Sequence, residues 1–183
     1  NGIAVTYETY EYYMLNKPAG VISATSDKTE KTVLDLIDSK KRKDLFPVGR
    51  LDKDTEGLLL ITNDGELAHR LLSPKKHVDK LYYAKVEGIV GLEDIDAFAK
   101  GLDIGEGEYT KPAKLIVLKS DVISEIELSI QEGKFHQVKR MFEAVGKKVI
   151  YLKRLEMGTL KLDEGLALGE YRPLTQKEIE ELC

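Results

Sequence analysis

Two strand-like stretches, 114–119 and 122–130, are separated by Ser120-Asp121 alone. A link that short can only reverse the chain, because parallel neighbours need a crossover of a dozen or more residues. The pair is therefore an antiparallel hairpin, and regular βαβ repetition is excluded from the folds open to this chain. The remaining pattern agrees. Residues 10–16 alternate and are rich in tyrosine, which predicts a strand ending in the turn Lys17-Pro18-Ala19-Gly20. Helical spacing predicts a short helix over 32–39; Phe46-Pro47-Val48 reads as extended, and 58–62 as a buried strand. Asn63-Asp64-Gly65 is a turn in which Asp64 or Asn63 can cap a helix over 66–72, stopped by Pro74. A strand is expected over 81–87, followed by an amphipathic helix over 92–100 closed by Gly101. A helix over 135–145 would turn Val138, Met141, Phe142 and Val145 inward, with strands following over 149–155 and 159–162. Thr175-Gln176-Lys177-Glu178 matches a capping box and opens a last helix. The class is α+β, with a mixed, mostly antiparallel central sheet and flanking helices. Pro74 and the basic turn near 73–80 mark a boundary between two lobes, about 1–76 and 77–183, of one domain.

Several classes fall away. The longest apolar runs, such as Leu58-Leu59-Leu60-Ile61, are a few residues long, whereas a membrane helix needs about 20. Residues 1–10 do not resemble a signal peptide. The single cysteine, Cys183, excludes a disulfide framework and a cysteine-based metal site, and points to a reducing, cytoplasmic setting. His69, His77 and His136 are too scattered for zinc. The net charge of −4 argues at first against a nucleic-acid partner. All of that excess lies in residues 163–183, where six acids face only Arg172 and Lys177, so the rest of the chain is neutral. Within the neutral part, 69–85 holds Arg70, Lys75, Lys76, Lys80 and Lys85 against Asp79. The stretch 134–154 holds seven cationic side chains against Glu143. These are either two solvated surfaces or one phosphate-binding face.

The densest motif is Gly49-Arg50-Leu51-Asp52-Lys53-Asp54-Thr55-Glu56-Gly57, a polar loop between apolar segments. As a calcium loop it fails at its twelfth position, which is Asn63 where a glutamate is required. It then reads as a structural turn in which Asp and Thr cap backbone groups, or as a catalytic carboxylate presented at a cleft. A second motif, Glu132-Gly133-Lys134-Phe135-His136-Gln137-Val138-Lys139-Arg140-Met141-Phe142, buries Val138, Met141 and Phe142 on a helix and projects Lys139 and Arg140 elsewhere. It is either a plain basic helix surface or the source of a cation that keeps a nearby carboxylate ionised.

Taken in this order, the two motifs resemble those of the pseudouridine synthases, and more closely the branch named for the ribosomal small-subunit enzyme. The likeness extends over Met14-Leu15-Asn16-Lys17-Pro18-Ala19-Gly20, Ser73-Pro74, Lys80-Leu81-Tyr82, Ala144-Val145-Gly146 and Gly169-Glu170-Tyr171-Arg172-Pro173-Leu174-Thr175. It implies the pseudouridine synthase fold, no cofactor and no metal. It implies Asp52 as the catalytic aspartate, Lys139 as the basic residue paired with it, and Tyr82 as the tyrosine that stacks on the target base. Tyr83 points to the opposite side of its strand and is expected to be structural. Arg50 matches a residue that contacts RNA around the flipped nucleotide; Lys17, Lys80, Lys134, His136, Gln137 and Arg140 are further expected RNA contacts. The implied substrate is ribosomal RNA, 16S ahead of 23S, with uridine 516 of 16S rRNA as the expected target. A small-subunit assembly intermediate is a possible form of it, and a non-catalytic RNA-binding module is the alternative from another class. The protein is expected to be a monomer with no membrane partner. Members of the branch carry a small N-terminal RNA-binding domain of the S4 type, and it is expected to be absent here.

Overall fold

The computed structural model describes residues 10–38 and 44–183, which divide into two compact units. The first unit takes residues up to 72 together with 159–183, and the second takes 73–158.

The first unit opens with β1 (Tyr12–Lys17). A single 3-10 turn, Val33–Leu36, stands where a helix over 32–39 was expected; Ser39 lies outside the described residues. β2 (Phe46–Val48) and β1 both run antiparallel to β3 (Glu56–Thr62). Leu58, Leu59, Leu60 and Ile61 have no exposed surface, so β3 is buried on both faces, as an unbroken apolar run requires. Asp64 Oδ1 accepts the Leu67 N–H at 3.2 Å and caps α1 (Gly65–Leu72), which buries Leu67, Ala68 and Leu71.

The second unit begins with a 3-10 turn at Pro74–Lys76, then β4 (Lys80–Glu87) and α2 (Leu92–Lys100). A short hairpin follows, β5 (Asp103–Gly105) with β6 (Glu108–Tyr109). β7 (Lys114–Lys119), β8 (Ile123–Ile130), α3 (Gln137–Ala144) and β9 (Lys148–Met157) complete it. The antiparallel order is β9-β4-β8-β7. β4 alternates, with Lys80, Tyr82, Ala84 and Val86 turned to the buried face. The helices meet through Phe98 and Phe142, whose ring centroids are 4.9 Å apart.

The chain then returns to the first unit through β10 (Leu160–Lys161), β11 (Tyr171–Pro173) and α4 (Gln176–Leu182). β11 pairs antiparallel with β1, Tyr13 opposite Pro173. This pairing is why 159–183 groups with the N-terminal residues, whereas the expected lobes of about 1–76 and 77–183 placed it in the second. Thr175 and Glu178 form the expected box: each accepts the other's backbone N–H, at 3.1 and 2.8 Å. Arg172 makes a two-pronged pair with Glu178 at 2.8 and 2.9 Å.

Gly101, which ends α2, has φ +92, and a Cβ there would stand 2.5 Å from the Thr110 carbonyl oxygen. Gly101→Ala is therefore expected to cost about 2 kcal/mol of stability in chemical denaturation. Gly65→Ala, at an open position with no left-handed backbone, should leave stability unchanged or slightly raised.

Candidate active site

The loop between β2 and β3 contains almost no apolar side chain except Leu51, so packing alone cannot shape it. Hydrogen bonds from the segment after β1 do so. Lys17 is fully buried, and its ammonium donates to the carbonyls of Pro18, Lys53 and Thr55 at 3.0, 3.1 and 2.8 Å. Three donors meet three acceptors, which is what allows a cation to sit in the interior. Burial pushes the Lys17 ammonium down to about 8, against the pull of Asp54, Glu56 and Asp52 toward the charged form. The Gly20 N–H donates to the Lys53 carbonyl at 2.9 Å. The Ser23 hydroxyl donates to the Leu51 carbonyl at 2.9 Å and accepts the Leu51 N–H at 3.0 Å. The Thr55 N–H closes a turn onto the Asp52 carbonyl at 3.0 Å. Asp52 is thus framed on both sides by fixed peptide groups. Its side chain is half-buried, between buried Leu51 and exposed Lys53, and Arg50 is exposed. Glu56 and Gly57 already belong to β3, which removes the calcium-loop reading. Among the described residues no group of three or more His, Cys, Asp or Glu converges on a metal position.

In the second unit, Tyr82 lies on the buried face of β4 with 9% exposure, opposite Leu128 of β8 and Arg154 of β9. The β4–β9 register shifts between Leu81 and Tyr82, a bulge that re-aims the side chains beside it. Tyr83 faces the other way, hydrogen-bonded to Glu125 and edge-to-face with Tyr151 at 6.1 Å, which is the structural role expected. Glu132, almost fully buried, collects Lys134 Nζ at 2.5 Å, the Lys111 N–H at 2.6 Å and Gln137 Nε2 at 3.0 Å. Burial raises its carboxyl, but these donors together outweigh burial and hold it below the usual carboxylate range.

Several of the residues expected to contact RNA have internal partners. Lys17 holds the Asp52 loop from inside. Lys80 is 7% exposed, its ammonium pushed down by burial and by Arg154. Lys134 and Gln137 are tied to Glu132, and Gln137 Oε1 also accepts the Lys134 N–H at 3.0 Å. Arg140 donates to the carbonyls of Ile104, Phe135 and Gly105 at 3.1, 2.8 and 3.1 Å and pairs with Glu108 at 2.8 Å, stitching the β5–β6 hairpin to α3. Lys17 and Gln137 are buried, and Lys134 and Arg140 spend part of their donor capacity on internal partners. Arg50 stays exposed, while His136 and Lys139 are half-buried. α3 begins at Gln137, not 135, because His136 has φ 50, outside helical geometry. The basic stretches are likewise only partly surface: Lys75 and Lys76 are exposed, but Lys147 pairs with Asp94 at 3.1 Å and Arg154 is buried. Ser23 and Lys111 were not singled out from sequence, since their contacts join distant segments and carry no local spacing.

Lys17→Met would keep the buried stem and strip three carbonyls of their donor. It is expected to lower stability by about 3 kcal/mol. Ser23→Ala should cost about 1 kcal/mol, and equal denaturation midpoints for wild type and both variants would contradict this account of the loop.

Comparison with known proteins supplies the family. Residues 11–144 match the RNA pseudouridylate synthase family. The chain is 53% identical over 180 residues to an RNA pseudouridine synthase of Bacillus subtilis, covering 97% of this chain and 75% of that one. It is 46% identical over 169 residues to the ribosomal small subunit pseudouridine synthase A of Salmonella typhimurium, covering 92% and 72%. A crystal structure of a pseudouridylate synthase superposes with a TM-score of 0.88 at 44% identity, covering 95% of this chain and 74% of that one. The α+β pseudouridine synthase fold is thereby established, and the chain belongs to the RNA pseudouridine synthase family.

Proposed function

We propose that this protein converts one uridine of 16S rRNA, uridine 516, to pseudouridine, with Asp52 as the catalytic carboxylate. The observation that carries the reading is the Asp52 loop, whose backbone is hydrogen-bonded on both sides of a half-buried carboxylate. The small-subunit name of the Salmonella relative supports 16S over 23S rRNA. The protein acts as a monomer on rRNA or on a small-subunit assembly intermediate.

The reaction breaks the bond from ribose C1′ to uracil N1, turns the base and rejoins it through C5. One hydrogen leaves C5 and one is gained at N1, so the isomerisation is redox-neutral and calls on no redox cofactor. The Asp52 carboxylate either attacks C1′ or removes a sugar proton to start elimination. A pre-shaped loop serves both routes, because the carboxylate spends no energy finding its geometry. Tyr82 stacks on the detached uracil, and its hydroxyl assists removal of the C5 proton. Lys139 is the basic residue of the catalytic set. Arg50 and His136 contact the RNA, which must extrude the target base at a cost of a few kcal/mol.

Asp52→Asn should reduce release of tritium from 5-tritiated uridine in a 16S transcript by about a thousandfold or more, with the thermal midpoint unchanged. Activity retained in that variant removes Asp52 from the catalytic role, and wild-type product on 23S but not 16S transcripts overturns the substrate. Tyr82→Phe keeps the ring and loses the hydroxyl. Turnover should fall while RNA affinity stays within about threefold, and complete loss of binding would contradict the stacking role.

A further inference from the structure

Phe135 is 73% exposed, whereas Phe98 and Phe142 are fully buried. It is not a loose surface residue. Its ring is stacked on the His136 imidazole, with centroids 3.7 Å apart and planes inclined by 20°. The backbone beneath is pinned from several directions. Lys134 and Gln137 exchange two hydrogen bonds at 3.0 Å, the Phe135 carbonyl accepts Arg140 Nη1 at 2.8 Å, and the His136 carbonyl accepts the Arg140 N–H at 2.9 Å. His136 is held at φ 50, ψ 36, left-handed geometry that is unfavourable for a residue with a side chain. The arrangement fixes an aromatic ring that fills no core.

Its place in the second unit is informative. A Cβ at Gly133 would lie 4.0 Å from Lys80 Nζ, and Lys80 shares the buried face of β4 with Tyr82. The loop carrying Phe135 therefore adjoins the strand that carries the proposed uracil-stacking residue. A rigid ring, backed by a second flat ring and followed by Lys139, suits a planar π-partner on an anionic chain. We propose that Phe135, backed by His136, is a stacking platform for an unpaired RNA nucleobase other than the target uracil. This inference rests on the pseudouridine synthase reading for the identity of the RNA, and it makes Phe135 a positioning residue for the substrate.

The chain contains no tryptophan, so F135W introduces a single indole at the platform. The F135W protein is titrated with a single-stranded RNA of about a dozen nucleotides and with an abasic ribose-phosphate strand of the same length. Binding is followed independently by anisotropy of a label on the strand. The base-bearing strand is expected to quench the indole at saturation and the abasic strand, with the same phosphates, to leave it unchanged. F135A should weaken affinity for the base-bearing strand about tenfold and leave the abasic strand unaffected. Equal emission with both strands, equal affinity of F135A and wild type, or failure of the RNA to bind overturns the platform. Base-specific quenching in a protein that forms no pseudouridine retains the platform and overturns the catalytic reading instead.

Discussion

The buried ammonium of Lys17 is the interaction on which the proposed site depends. A polar seven-residue segment between two strands, 49–55, has little hydrophobic reason to adopt one shape. Lys17 supplies that reason: its stem runs through the interior, and its three donors end on Pro18, Lys53 and Thr55 carbonyls. Because a cation stripped of these partners in the interior would be costly, the loop and the end of β1 form one unit of structure. Ser23 and Gly20 add hydrogen bonds from the same segment, at Leu51 and Lys53. The residues flanking Asp52 are thereby fixed by chain that lies some thirty positions earlier.

The second unit repeats the device with the sign reversed. Glu132 is a buried anion there, and Lys134, the Lys111 amide and Gln137 surround it. Arg140 does similar work for the β5–β6 hairpin. Much of the polar density that looks, in sequence, like a surface for phosphate is internal scaffolding. Arg50, Phe135, Lys75 and Lys76 stay exposed, and His136 and Lys139 are half-buried.

The elements governed by local chemistry were legible in advance. The 114–130 hairpin, α2 with Gly101 at its end, the Asp64 cap and the Thr175–Glu178 box depend on spacing within a few residues, and each is present. The β5–β6 hairpin was not legible, since Gly105-Glu106-Gly107 interrupts any apolar alternation. β11 was missed for another reason: its partner, β1, lies more than 150 residues away, and Tyr171–Pro173 is too short to declare a period. At the site, the identity of the Asp52 motif was readable, but the duty of each cation was not. Lys17 and Arg140 have the same charge as any RNA-binding residue, and only the fold reveals which carbonyls they face.

The proposal on activity is tested most directly by mapping pseudouridine across 16S and 23S rRNA from cells with and without this gene. The account predicts that one 16S position, uridine 516, is unmodified in the deletion and restored by the wild-type gene but not by Asp52→Asn. Identical maps in both strains, or a loss confined to 23S rRNA, would contradict it.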